Sequence, residues 1–469
     1  GREVTSGLLY AVPLLLLTLV AGRAFCAWIC PLGTTLDAFK IGPKRRLPPG
    51  SWRERPSAEG PAFRSIKHAI LIFIMVGALF TSAFLVLLDP LSLLSRSLAT
   101  SLYPSANAIF SSLQRSMYDA GVLPGLWVWL DDSLRGSVLP YQQAFFRMTS
   151  LFLLLFAGII LLNLVAHRFW CRYLCPLGAF FSLLTRAPIL KRSVTVECDK
   201  CGKCLNACKM GAISAKDFSS DAGECILCLN CQSVCPRNAI RFAGNPLAAV
   251  RRYDPSRRTI LASLGVGILA IGGFRTTAAE KDPSPWLVRP PGARKDGFIQ
   301  RCIRCGECMK VCPTQGLQPT LFEAGLEGMW SPILVSRLGP CDWSCTSCGH
   351  VCPTGAVEKL NLNDKRQLII GTAYIDENRC IPWADRRDCI VCQELCPVPD
   401  KAIVLEPIEL KNNQGDMVTV KRPRVLRKLC IGCGICEYTC PVPNQAAIRV
   451  FATGEVVTNT DTYGPISPK

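Results

Sequence analysis

Histidine is scarce in this chain, with three in 469 residues. That scarcity leaves little room for Cys/His zinc sites, and no nucleophile-base set or substrate pocket is legible in the sequence. No Cys-x-x-Cys-His string occurs, which removes covalently attached c-type haem. Charged residues make up only 19%, against 49% hydrophobic ones. The mean hydropathy of +0.26 is high for a soluble enzyme of this size. Collagen-like, mucin-like and disordered chains lack such apolar content. The composition is that of a membrane protein with soluble attachments, and the length allows about three domains. A starting Met is also missing: the sequence opens on Gly1, so a preceding N-terminal stretch is expected.

The net charge is +18. Residues 1–274 hold 29 Lys/Arg against 14 Asp/Glu, and residues 275–469 hold 24 against 21, so the excess base lies in the first part. Many of these basic residues flank apolar runs, as the positive-inside rule requires, and this argues against a nucleic-acid partner. Three runs have about the length of a bilayer-crossing helix, near 7–25, 66–88 and 148–170. Between the first two lie Lys40, Lys44, Arg45, Arg46, Arg53, Arg55, Arg64 and Lys67, which predicts an inward-facing loop. Residues 89–147, with Trp127 and Trp129, fit the outer side and its interface. Arg168, Arg172, Arg186, Lys191 and Arg192 then return the chain inside. A further run at 259–274 follows Arg257-Arg258 in a twin-arginine-like string, and retention as an anchor would place everything beyond about 275 outside.

The 28 cysteines carry the strongest pattern. Four form two Cys-x3-Cys-Pro pairs and 24 form six groups of four. Three cysteines at i, i+3 and i+6 wrap three corners of a cubane, and the fourth, usually before Pro, ligates the neighbouring cluster in two-cluster ferredoxins. That rule assigns Cys198, Cys201, Cys204 and Cys235 to one cluster and Cys225, Cys228, Cys231 and Cys208 to its partner. Cys302, Cys305, Cys308 and Cys352 pair with Cys341, Cys345, Cys348 and Cys312. Cys380, Cys389, Cys392 and Cys440 pair with Cys430, Cys433, Cys436 and Cys396. Structural zinc usually gathers two separated pairs, and disulfides do not need such crowding. Six [4Fe-4S] clusters are expected, each contributing about −2 when oxidised, so about 12 of the positive charges have a counterpart. Two groups depart from the simplest spacing, Cys341 to Cys345 and Cys380 to Cys389, and Lys209 rather than Pro follows Cys208. The runs after the fourth cysteines (GAI, NAI, GAV, KAI, AAI) predict short strands, and the stretches 367–375 and 403–422 predict extra strands or a hairpin.

Cys26 and Cys30 close the first span, and Cys171 and Cys175 the third, each pair followed by Pro-Leu-Gly. These four thiols are candidate ligands of a further cluster or another metal, or a redox-active dithiol set; the plain alternative is that the motif ends each helix. Asp89 and Asp37 are the carboxylates best placed as proton acceptors for a quinol, against the plainer role of polar residues at helix ends. His68 and His167 are expected at a similar inner depth on neighbouring spans, where they could hold a bis-His haem, against the plainer reading of ordinary interfacial histidines.

The duplicated Cys-x3-Cys-Pro, the Asp89-Pro90-Leu91-Ser92 string and the first two cysteine groups resemble the NapH/NosR-type polytopic membrane iron-sulfur proteins. The twin-arginine-like string and the four later groups resemble the NapG/MauM-type periplasmic ferredoxins. No counterpart of the NosR flavin-binding domain is visible. The resemblance covers nearly the whole chain and implies a fusion of mixed fold class: an α-helical membrane domain (1–190), an inner two-cluster α+β ferredoxin (191–250), an anchor (251–275) and an outer four-cluster ferredoxin domain (276–469). It further implies electron transfer between quinone in a bacterial-type inner membrane and an extracytoplasmic oxidoreductase or cytochrome subunit. A rival reading is an assembly or redox-maintenance factor for an exported metalloenzyme; a third is a scaffold whose clusters serve only folding.

Overall fold

A computed structural model describes residues 7–39, 61–79, 87–135, 138–140, 142–185, 189–215, 217–244, 287–294, 297–411 and 417–452, with 261, 264 and 265. The twin-arginine-like string, nearly all of the anchor, the basic loop 40–60 and the Asn413-Gln414-Gly415-Asp416 turn lie outside the described residues. The chain forms two compact units that interleave in sequence. One comprises residues 1–98 and 150–276, the other 99–149 and 277–469.

Nine helices precede the first ferredoxin-like region among the described residues: α1 (Gly7–Ala21), α2 (Ala24–Trp28), α3 (Pro31–Ala38), α4 (Pro61–Leu79), α5 (Pro90–Ser97), α6 (Tyr103–Asp119), α7 (Pro124–Leu134), α8 (Thr149–Leu161) and α9 (Pro176–Leu184). They correct the expectation of three continuous spans. Among the described residues no helix is long and apolar enough to cross a membrane. The first run stops at Gly22, whose φ of 59° breaks the helix before Arg23. α4 carries Arg64, Lys67 and His68 in its first turns, and residues 80–86 of the second run lie outside the described residues. The third run passes from α8 into a 3-10 turn at Leu162–Leu164 and then to Arg168 at φ 53°. Window hydropathy averages over such breaks and does not see them.

Pro31 and Pro176 sit at the first position of α3 and α9, where a missing N–H costs nothing. Each helix therefore starts immediately after the second cysteine of a Cys-x3-Cys pair. The Asp89 carboxylate accepts from the N–H groups of Leu91 and Ser92 and so caps α5.

Each pair of cysteine groups is closed by antiparallel pairing of its flanks. β1 (Leu190–Val194) pairs with β2 (Ile240–Gly244) around Cys198–Cys235. A single bridge, Ala293 to Val357, does so around Cys302–Cys352. β5 (Thr372–Ile375) pairs with β8 (Ile448–Phe451) around Cys380–Cys440. Short insertions lie inside the later regions: β3 (Leu317–Pro319) with β4 (Pro332–Leu334), and the nine-residue strands β6 (Ile403–Lys411) and β7 (Met417–Val425). Ile213, Ile240, Val357, Ile403 and Ile448, which end the five predicted runs, all start a strand or make a bridge.

In the second unit the sulfurs are part of the core. Cys396, Cys430 and Cys436 are buried among Phe146, Val288, Met309, Ile403 and Val450, with further cysteines packed against them. Phe146 ties the 99–149 segment to this core, and Gln318 and Gln315 hold the backbone of Phe145 and Arg147 beside it.

Candidate metal centres

The Cys-x2-Cys-x2-Cys loops share a backbone device. The residues before and after the middle cysteine have positive φ: Lys200 and Gly202, Leu227 and Leu229, Arg304 and Gly306, Gly432 and Gly434. Alternating right- and left-handed residues turn successive N–H groups toward one concavity, which suits an anionic, sulfide-rich group. The groups with irregular spacing, at Cys341 and Cys380, lack this alternation.

The fourth cysteines lie near sulfurs of the neighbouring group. Cys352 neighbours Cys302, Cys305 and Cys308, while Cys312 neighbours Cys341 and Cys348. Cys440 joins Cys380, Cys389 and Cys392 in lining one cavity with Pro441 and Ile448. Cys396 neighbours Cys430 and Cys433. In the first unit Cys208 neighbours Cys225 and Cys231, and Cys235 packs with Cys204. Cys198 and Cys201 neighbour Cys204.

These sets also neighbour one another in order. Cys308 lies beside Cys348, the Cys341 N–H donates to the Cys433 carbonyl at 2.8 Å, and Cys436 lies beside Cys392. The four sites of the second unit thus run in a line: Cys302, Cys341, Cys430, Cys380. Sequence order alone would exchange the last two.

Several sulfurs accept backbone N–H groups, among them Cys208 from Ala212 at 3.3 Å, Cys352 from Val357 at 3.4 Å and Cys430 from Ala373 at 3.4 Å. Such bonds stabilise added negative charge and raise a cluster's potential. Burial pushes the thiols of Cys225 and Cys433 up to about 12, with neighbouring sulfurs adding to the effect. Without metal these groups hold protons, so metal binding must release them. Among the described residues no three His, Cys, Asp or Glu side chains converge on a single-ion site. Thiolates spaced around a cubane do not need to. The donor sets fit [4Fe-4S] clusters, which supply one-electron redox chemistry when bound.

The two Cys-x3-Cys-Pro pairs also meet. Cys26 neighbours Cys30, Cys171 and Cys175. Burial pushes the Cys171 thiol up to about 12, with Cys26 and Cys30 adding to it against Arg168 and Arg23. The Cys175 sulfur accepts the Gly178 N–H at 3.3 Å. Gly178 has no room for a side chain: a Cβ there would stand 2.7 Å from Arg23 Nη2 and 3.5 Å from the Cys175 sulfur.

Asp37 is not placed as a free base. Its carboxylate accepts from Arg168 at 2.7 and 2.8 Å, Lys209 at 2.6 Å and His167 at 3.1 Å. Burial opposes its ionisation, but these donors outweigh burial and hold the carboxyl well below the usual carboxylate range. His68 uses both ring nitrogens, one toward the Arg64 carbonyl and one toward Ser182 Oγ. His167 Nε2 faces the Asp37 carboxylate at 3.1 Å.

Sequence reasoning missed Arg23 and Arg168. Both are fully or almost fully buried, and each lies three residues before a Cys-x3-Cys-Pro. Extending the internal repeat by three residues would have found them.

Residues 4–48 and 149–196 match a 4Fe-4S binding domain family, residues 197–239 a 4Fe-4S dicluster domain family, and residues 300–318 a 4Fe-4S binding domain family. The methylamine utilization ferredoxin-type protein MauM of Methylorubrum extorquens AM1 is 35% identical over 207 residues, covering 42% of this chain and 89% of that protein. The ferredoxin-type protein NapG of Escherichia coli K12 is 35% identical over 179 residues, 37% of this chain and 72% of NapG. An uncharacterized protein of Methanocaldococcus jannaschii, MJ0750, is 28% identical over 237 residues, 50% of this chain and 76% of that protein. Several 4Fe-4S binding domains are therefore present.

Proposed function

On the premise that the chain belongs to the ferredoxin-type family of MauM and NapG, we propose that it is the electron-transfer subunit of a quinone/quinol oxidoreductase complex. Six [4Fe-4S] clusters relay single electrons between membrane quinone and an extracytoplasmic redox partner. The observation that supports this reading is the succession of four cysteine sites in the second unit, each neighbouring the next. A line of redox centres has two ends, one to receive electrons and one to pass them on.

Contact with lipid is supported by apolar side chains exposed on α1 (Leu16, Leu19, Val20), α8 (Leu154, Leu155) and α7 (Val128, Trp129). The bacterial-type inner membrane is the proposed location. The charge pattern supports a two-sided arrangement, the excess base lying in residues 1–274. This corresponds to a NapH/NosR-type part joined to a NapG/MauM-type part.

The test uses the full chain in oxygen-free proteoliposomes. Addition of a short-chain quinol is expected to bleach the cluster absorbance within the mixing experiment. Clusters that respond to dithionite but not to any quinol would contradict the reading.

A further inference from the structure

The one fully inward residue of β1 is an arginine. Arg192 is 9% exposed, on a strand whose other side chains are half-buried or open. A guanidinium at the buried position of a short strand is costly unless an anion or an acceptor meets it. β5, which closes the last pair of cysteine groups, instead sets Ala373 beside a sulfur, its N–H donating to Cys430 at 3.4 Å.

Arg192 Nη1 donates to the Phe218 carbonyl at 2.7 Å. Its Nε and Nη2 are buried and have no oxygen or nitrogen acceptor. Sulfur lies beside them instead: Arg192 is the leading charge at both Cys204 and Cys231, and a hydrogen-bond donor to the latter. These two sulfurs belong to different sets. Cys204 groups with Cys198, Cys201 and Cys235, and Cys231 with Cys208, Cys225 and Cys228, yet Cys204 and Cys231 also neighbour each other.

No carboxylate pairs with this guanidinium among the described residues. Glu224 and Asp221 face Lys67 and Arg64, and Glu224 also Arg23. Glu197, Asp199 and Asp217 are exposed to water, which screens them. Two cubanes with four thiolates each carry about −2 when oxidised, so their facing sulfurs repel. A single buried cation between those sulfurs offsets the repulsion and favours an added electron on either centre.

We propose that Arg192 is a positioning residue shared by the two [4Fe-4S] centres of the first unit, where its one charge raises both potentials and marks the Cys204 to Cys231 approach as their electron crossing. The inference rests on the iron-sulfur chemistry of the proposed function and not on its quinone. The device is particular to this pair, for no cation is among the groups that act on the Cys430 sulfur.

The full chain, purified without oxygen and titrated with dithionite under EPR, provides the test. Cys198→Ser with Cys201→Ser, and Cys225→Ser with Cys228→Ser, assign the signals of the two centres. Arg192→Gln keeps a donor for the Phe218 carbonyl and removes the charge, and is expected to lower both midpoint potentials while those of the second unit stay unchanged. Arg192→Lys keeps the charge and is expected to restore most of both. A shift at one centre alone, no shift, or an equal shift in the second unit would overturn the shared role. Loss of this pair's iron from Arg192→Gln with retention in Arg192→Lys would support the part played by charge, and loss from both alike would overturn it. Because dithionite is the reductant, a chain that meets these expectations but is not reduced by quinol would sink the quinone reading and leave the role of Arg192 standing.

Discussion

Serine at both Cys430 and Cys433 is expected to cut the electron path through the second unit in the middle. In sequence the Cys430 group is the last of the four, and its removal would then trim an end. In space it lies between the Cys341 and Cys380 groups, through the Cys341 to Cys433 backbone bond and the proximity of Cys436 to Cys392. The variant should lose about four irons. Freeze-quenched EPR after quinol addition should find clusters on one side of the gap reduced and those on the other still oxidised, with passage nearly abolished. The corresponding change at the Cys380 group, Cys389→Ser with Cys392→Ser, should leave the other three sites of the line in communication. Equal effects from the two variants would contradict the spatial order.

Removal of iron by a chelator is expected to unfold the second unit rather than to leave an apo form. Its apolar core includes Cys396, Cys430 and Cys436, with Cys308, Cys312, Cys341, Cys348, Cys392 and Cys440 packed around them. The strands that close it, β5 and β8, have four residues each, and β3 and β4 three each. Isolated two-stranded pairs are marginal at best, so the metal supplies a large share of what binds these loops to one another. In the metal-free chain the thiols hold their protons, because burial raises them, and the binding free energy that serves as folding free energy is lost. Circular dichroism should show a cooperative melt before chelation and none after it. Persistence of the same melt in iron-free protein would mean that the fold does not depend on its clusters.

How much of this was legible depended on the kind of signal. The six cysteine groups are legible from covalent spacing, and several 4Fe-4S binding domains are matched along the chain. The short strands after the fourth cysteines were also readable, from a β-branched residue at each. What failed was any reading that needed local breaks or distant contacts. Hydropathy merged α8 with the 3-10 turn and the left-handed Arg168, and so overstated a span. Asp37 looked like a free carboxylate because Arg168 and Lys209, its partners, are more than a hundred residues away. The packing of Phe146 into the core of residues 277–469 and the order of the last two cluster sites are equally invisible along the chain. Arg23 and Arg168 were readable in principle, as part of the repeat, but the place of Arg23 against Gly178 of the other copy is a property of the folded site.

The account stands on iron-sulfur chemistry at the grouped thiolates. Its most direct measurement is the iron, acid-labile sulfide and zinc content of the full chain purified without oxygen. Iron and sulfide should be equimolar, at about 24 of each for six cubanes, with zinc near zero. Stoichiometric zinc, or iron without labile sulfide, would contradict it.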